Sequence, residues 1–200
     1  MLSTTASAPA KIILFGEHFV VYDQPVILAS INKRLKIECK REVESNKAIN
    51  LETNNFGKKI YPLSILENSN QDIVNEFFYP ILYILRKMIY HNTEPYGITI
   101  KIISEIPYGV GLGSSAALCV AGVAAISELY KRLKNKDEIL NIAIETERIL
   151  HANSSGADCI VSTMGGLLYY QKNSNVKTLR FSNEPSFIII NTGLKHSTGD

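Results

Sequence analysis

The sequence predicts one domain of mixed strands and helices, and three observations carry that expectation. Residues 96–106, YGITIKIISEI, alternate with period two, the pattern of a half-buried strand. Residues 114–134 place Leu118, Ala121, Ala125, Leu129 and Leu133 at helical spacing. A serine opens that helix, and Lys131, Arg132, Lys134 and Lys136 crowd its end, where the dipole favours them. The chain has 200 residues, the length of one domain or a little more. A chain of that size buries roughly 70% of its unfolded surface and needs no staples.

The remaining elements follow in order. Short β-branched or aliphatic runs at 11–15 and 26–31 predict buried strands, joined through the polar punctuation at 16–18 and 22–25. Residues 35–42 alternate well enough for a half-exposed strand. Short strands at 47–52 and 57–61 flank the turn Asn54-Asn55-Phe56-Gly57. Residues 71–90 carry Ile73, Val74, Phe77, Phe78, Ile81, Leu82, Leu85 and Met88 at helical spacing, with Pro80 expected to kink or split that helix. A helix over about 137–151 starts acidic, a short helix follows the loop at 151–156, and strands near 167–171, 176–181 and 187–191 finish the chain. No repeat, low-complexity tract or long linker interrupts this order.

Composition excludes several classes. A hydrophobic share of 46% and a charged share of 20% are ordinary for a globular protein. The formal net charge is +2, so neither nucleic acid nor membrane is expected as a partner. The basic clusters at 33–36, 40–41 and 131–136 lack interleaved aromatics and read as solvated faces or helix ends. Cys39, Cys119 and Cys159 form no CxxC pair, and His18, His91, His151 and His196 show no metal-ligand spacing. Core thiols in a reducing compartment are expected. The N-terminus lacks the basic start and apolar run of a signal peptide, and no run approaches the ~20 residues of a membrane span, so a cytoplasmic location is expected.

The glycine loop between strand and helix carries the chemistry. Gly109, Gly111 and Gly113 let the backbone take positive φ and approach a ligand closely, so that several amides face one concavity at a helix start. The Walker pattern is excluded because Ser114-Ser115 follow Gly113 where a lysine is required. The dinucleotide fingerprint fails as well, since its third glycine would fall at Ser114. A ligand-free tight turn is the alternative, at odds with three glycines at a strand-to-helix junction.

Three charged residues stand in apolar settings. Glu147 shares the apolar stripe of Ile139, Ile142, Ala143, Thr146 and Leu150, so its carboxylate must be paired, hydrogen-bonded or bound to a cation. An ion pair with Lys11 or an arginine would satisfy it too. Asp158 follows the turn-prone Asn153-Ser154-Ser155-Gly156 and reads locally as a helix-start aspartate. Lys11 heads an aliphatic strand, where a lysine can snorkel at a sheet edge. Phosphoryl transfer to an alcohol needs phosphate amides, a cation held by a hydroxyl and a carboxylate, a proton acceptor and a nearby positive charge. Ser115, Glu147, Asp158 and Lys11 are the residue types for these parts.

The stretch Pro107-Tyr108-Gly109-Val110-Gly111-Leu112-Gly113-Ser114-Ser115-Ala116-Ala117 resembles the phosphate loop of the GHMP small-molecule kinases. Three further stretches are similar to the branch of that family that phosphorylates mevalonate. They are residues 8–22 with Pro25, residues 147–158, and the tail at 191–198. The likeness runs from Ser7 to Thr198. It implies an α+β domain related to the second domain of ribosomal protein S5, its mixed sheet carrying helices on one face. Residues 1–200 would be the N-terminal ATP-binding domain, running into the start of the C-terminal region near 187–200. The family's second α/β domain, with a further glycine-rich loop, has no counterpart among these residues.

The implied activity is ATP- and magnesium-dependent phosphorylation of the C5 hydroxyl of mevalonate, in isoprenoid precursor synthesis. Asp158 would be the base, or the anion that orients the hydroxyl, and Lys11 would lower the hydroxyl's pKa. Ser115 and Glu147 would hold Mg2+, and Pro107 to Ala117 would wrap the nucleotide. Glu17, His18 and Thr198 would line the mevalonate pocket, and a homodimer is compatible with the family. Alternatives are a C3-directed mevalonate kinase, a phosphomevalonate kinase or galactokinase-like enzyme, and a non-catalytic nucleotide-binding relative. Two departures stand out: Ser154 replaces a proline frequent before the aspartate, and Ala10 stands where many members carry glycine.

Overall fold

The computed structural model describes the chain except residues 1, 18, 20, 21, 43–46, 68–76, 90–95, 133, 134, 152, 153, 173, 184, 185 and 191–200. Strands come first. β1 (Ser3–Phe15) and β2 (Val26–Arg41) form a long antiparallel hairpin, followed by β3 (Ala48–Thr53) and β4 (Gly57–Pro62). After a 3-10 turn (Leu63–Leu66) come α1 (Tyr79–Ile89) and β5 (Ile98–Ser104). Then follow α2 (Ser114–Tyr130), α3 (Lys136–Leu150), α4 (Ala157–Met164), β6 (Leu167–Tyr170) and β7 (Lys177–Leu179).

One mixed sheet of seven strands results, and β2 is its axis. One edge of β2 pairs β1 throughout; the other is shared, with β5 on Leu35–Arg41 and β6 on Val26–Ala29. β3 joins β5 in parallel and β4 closes that side. Side chains alternate as a sheet covered on one face requires. Leu35, Ile37 and Cys39 of β2, Ile49 and Leu51 of β3, and Ile98, Ile100 and Ile102 of β5 all point into the core beneath the helices. The opposite face is charged, with Lys36 paired to Glu38 and Glu52 paired to Lys58 and Lys101.

α2 is apolar nearly all round because other elements surround it. It packs on β1 and β2 below and on α1, α3 and α4 at its sides. Small residues permit that crowding: a Cβ on Gly122 would stand 3.0 Å from the Ile81 and 3.1 Å from the Ile84 side-chain tips. Thr4 of β1 donates from Oγ1 to the carbonyl of Ala125 at 2.8 Å. Cys119 and Cys159 are free buried thiols, as expected; Cys39 is buried as well, and burial pushes its pKa up to about 12.

Several expected boundaries move. The strands expected at 26–31 and 35–42 are one strand, since pairing to β1 continues past the polar residues Asn32, Lys33 and Arg34. β1 likewise begins at Ser3, and Pro9 is accommodated by a register shift between Pro9 and Ala10. Pro80 neither kinks nor splits α1 but sits in its first turn, where a missing N–H costs nothing; residues 71–76 of the expected helix lie outside those described. α2 ends at Tyr130 with Lys131 in the left-handed region at φ +52°, short of the expected 134. Residues 187–190 form no strand: Ile188 and Ile190 are 90% and 80% exposed, with no partner strand alongside among the described residues.

Candidate functional site

The loop between β5 and α2 has the geometry of an anion nest. Gly109, Gly111 and Gly113 have φ of +73°, +77° and +73°, while Val110 and Leu112 between them stay negative. This alternation turns successive amides toward one side. A Cβ on Gly109 or Gly111 would meet nothing within 4 Å, so packed side chains do not wall off the loop. Gly113 is the N-cap of α2 and has no side chain to cap it. The serine expected to cap this helix lies instead within it, because Gly113 takes the cap position. The first amides of α2 therefore remain available to an anion.

Lys11 joins this loop to the acidic side of the site. Its N–H donates to the carbonyl of Leu112 at 3.0 Å, and a Cβ on Gly113 would fall 2.7 Å from its side chain. Its Nζ lies 3.1 Å from Asp158 Oδ2, with the lysine side chain 9% and the aspartate 30% exposed. It does not snorkel to solvent. The register shift at Pro9/Ala10 stands immediately before it, a place where bulges commonly redirect side chains. Asp158 occupies the first turn of α4, a helix-start position as its local sequence suggests, held through Gly156 as N-cap.

Glu147 is buried on the inward face of α3, with 4% of its surface exposed. Its Oε2 accepts from Ser154 Oγ at 2.8 Å and from Cys159 Sγ at 3.3 Å. Desolvation raises its pKa above the ordinary carboxylate value, and the Asp158 charge raises it further. Those two hydrogen bonds and Lys11 act in the opposite direction. Lys11 pairs directly with Asp158, so the ion-pair alternative for Glu147 is reduced to a lesser influence. Burial raises the pKa of the Cys119 thiol on α2, and the Glu147 charge adds to that rise.

Ser115 Oγ is itself buried with no hydrogen-bond partner. An orphaned buried hydroxyl at the mouth of a helix suits a divalent cation shared with phosphate oxygens. No cluster of three or more His, Cys, Asp or Glu side chains suited to a metal exists among the described residues.

A cleft of about 370 Å3 begins at Ser114 and Ser115 and runs between the β3–β4 turn and α1. Phe56 and Phe77 stack there at 4.1 Å between ring centroids, with Tyr108 edge-on to Phe56 at 5.2 Å. Sequence reasoning includes Tyr108 in the nucleotide loop but overlooks Phe56 and takes Phe77 only as a helical apolar residue. The available signal is a phenylalanine in a turn of Asn and Gly, where nothing structural calls for one. It also overlooks the bonds from Ser154 and Cys159 to Glu147. Glu17 lies in an exposed turn beyond β1, whereas His18 and Thr198 fall outside the described residues.

A model of the GHMP kinases N terminal domain matches residues 76–166. The fold is that domain's. The chain is similar to mevalonate kinases. That of Thermococcus sibiricus is 37% identical over 174 residues, covering 84% of this chain and 52% of the relative. That of Pyrococcus furiosus is 38% identical over 180 residues, covering 86% and 52%. The mevalonate kinase structure from Methanococcus jannaschii superposes with a TM-score of 0.79 at 29% identity, over 90% of this chain and 56% of that one. The chain spans about half the length of the curated relatives it matches. No helix among the described residues is long and apolar enough to cross a membrane.

Proposed function

We propose that this chain is the nucleotide-binding and hydroxyl-activating part of an ATP- and magnesium-dependent kinase that phosphorylates the C5 hydroxyl of mevalonate. The observation that carries the reading is Lys11, in contact with the last glycine of the anion nest and paired with Asp158. Mevalonate as substrate rests on the names of the relatives.

In this reading the amides of 109–115 bind the phosphates, and the aromatic cleft takes the base. Ser115 and Glu147 hold the cation, which when bound offsets charge on the phosphate oxygens. The substrate hydroxyl oxygen forms a bond to the γ-phosphorus, and the bond from that phosphorus to the bridging β–γ oxygen breaks, releasing ADP. Asp158 accepts the hydroxyl proton. The Lys11 ammonium orients Asp158 and steadies charge growing on the attacking oxygen. Glu17, His18 and Thr198 are assigned to the mevalonate side. Free buried thiols suit a reducing, cytoplasmic setting.

The test is ATP turnover by the whole protein with mevalonate, phosphomevalonate, galactose and homoserine, beside Asp158→Ala. Preference for mevalonate, with product phosphorylated at C5 by phosphorus NMR, is the expected result. Preference for another alcohol, or phosphorylation at C3, would replace the substrate assignment while leaving the kinase chemistry.

A further inference from the structure

The hydroxyl of Ser154 is committed on both sides. Oγ accepts from the Gly156 N–H at 3.2 Å, which leaves its single proton for Glu147 Oε2 at 2.8 Å. The Ser154 N–H donates to the His151 carbonyl at 2.8 Å, so the residue is fixed at three points in the turn between α3 and α4. Cys159 Sγ reaches the same Oε2 at 3.3 Å. Both donors therefore converge on one carboxylate oxygen. Neither donor reaches Oε1.

We propose that Ser154 is a positioning residue for the cation: it locks Oε2 of Glu147, so that Oε1 is the oxygen left for the cation. Cys159 assists as the weaker second donor. The inference rests on the reading of Glu147 as a cation ligand. The proton that Ser154 supplies to Glu147 comes from the turn that leads into Asp158. The turn thus sets two carboxylates at once, Asp158 through the helix start and Glu147 through the hydroxyl. Partners that orient a metal ligand from behind commonly change metal affinity on the order of 10–100-fold when removed.

The experiment is a Mn2+ titration of the full chain in the presence of ADP, followed by water proton relaxation, with metal-free ADP affinity measured alongside. Ser154→Ala is expected to weaken Mn2+ binding on the order of tenfold. Ser154→Thr, which keeps the hydroxyl, is expected to restore it, and metal-free ADP affinity should not change in either. A role confined to the turn would lower thermal stability without moving the Mn2+ affinity, and that outcome overturns the inference. Glu147→Gln separates the two claims. If it abolishes Mn2+ binding while Ser154→Ala binds as wild type, the positioning role fails and the ligand role survives. If Glu147→Gln binds Mn2+ as wild type, the ligand role fails and the positioning role with it. Should Ser154→Ala not fold, Ser154→Cys takes its place; its weaker donor should give an intermediate loss, and wild-type affinity would overturn the inference.

Discussion

Lys11 Nζ stands 3.1 Å from Asp158 Oδ2, and the same lysine packs its carbon chain against Gly113. One side chain therefore spans the distance between the anion nest and the carboxylate. A lysine 9% exposed requires a counter-charge, and the sheet supplies the rigidity that keeps it facing one. The arrangement places a fixed positive charge between the glycine loop and Asp158, which suits the proposed transfer to an alcohol.

Asp158→Ala is accordingly expected to lower kcat by about 10²–10⁴-fold, the usual cost of losing a general base, with little effect on nucleotide affinity. Asp158→Asn tests the pair separately. It leaves Lys11 without its partner at a site where the aspartate side chain is 30% exposed. The loss of stability should therefore be about 1–2 kcal/mol, below that of a fully buried pair. Chemical denaturation measures the second effect and steady-state kinetics the first. Near-normal turnover in Asp158→Ala would remove its role as proton acceptor.

The three loop glycines are expected to respond differently to alanine. All carry positive φ, which costs an alanine about 1–2 kcal/mol. At Gly109 and Gly111 the new methyl meets nothing, so the folded protein should tolerate it while bound phosphate clashes with it. At Gly113 the methyl would lie 2.7 Å from the Lys11 chain and displace the ammonium from Asp158. All three should lower the melting temperature somewhat; Gly109→Ala and Gly111→Ala should otherwise chiefly weaken ADP binding, whereas Gly113→Ala should also lower kcat and should lower the melting temperature further. Equal loss of ADP affinity with equal kcat in all three would contradict this division.

How far the sequence foretells this site differs by element. The strand at 96–106, the loop and the helix that follows are legible because period two, three alternate glycines and helical spacing are all local signals. Glu147 is legible for a similar reason, being a charged residue on an apolar stripe. The meeting of Lys11 with Asp158 is not, since the contact depends on how β1 and α4 pack. Local sequence can equally make Lys11 a snorkelling residue and Asp158 a helix-start residue, and Asp158 is indeed both a helix-start residue and a partner of Lys11. The glycine cap of α2 escapes propensity reasoning, because a serine one residue away is the better cap and only the loop's own geometry excludes it. The continuity of β2 is hidden for another reason: its polar stretch at 32–34 resembles a turn until β1 is seen to pair alongside.

Glu147 should make stability of the metal-free protein depend on pH. Burial raises its folded-state pKa above the unfolded value, so the folded state binds more protons. Its unfavourable contribution is absent at acid pH, appears as pH rises through the unfolded carboxylate range, and is complete above the folded pKa. Glu147→Gln is therefore expected to raise the melting temperature by a few degrees at pH 7–8 and much less near pH 4. With Mg2+ and ADP bound the order should reverse, since only the carboxylate serves the cation. Thermal melts at two pH values, with and without Mg2+ and ADP, measure both.

The aromatic cleft makes a prediction that phosphate chemistry alone does not. Phe56 and Tyr108 are 46% and 61% exposed, large for aromatics in contact with one another, and they border the cleft that begins at Ser114 and Ser115. Stacking of a base on such rings contributes about 1–3 kcal/mol. Phe56→Ala is thus expected to weaken ADP binding roughly 5- to 150-fold while leaving inorganic pyrophosphate unaffected, because pyrophosphate needs only the loop amides. Tyr108→Ala should act in the same direction but less strongly, since Tyr108 meets Phe56 by its edge. Gly111→Ala gives the converse pattern, weakening both ligands. Calorimetric titration with the two ligands separates base from phosphate recognition. If Phe56→Ala weakened pyrophosphate as much as ADP, the cleft would be supporting the loop and not receiving the base.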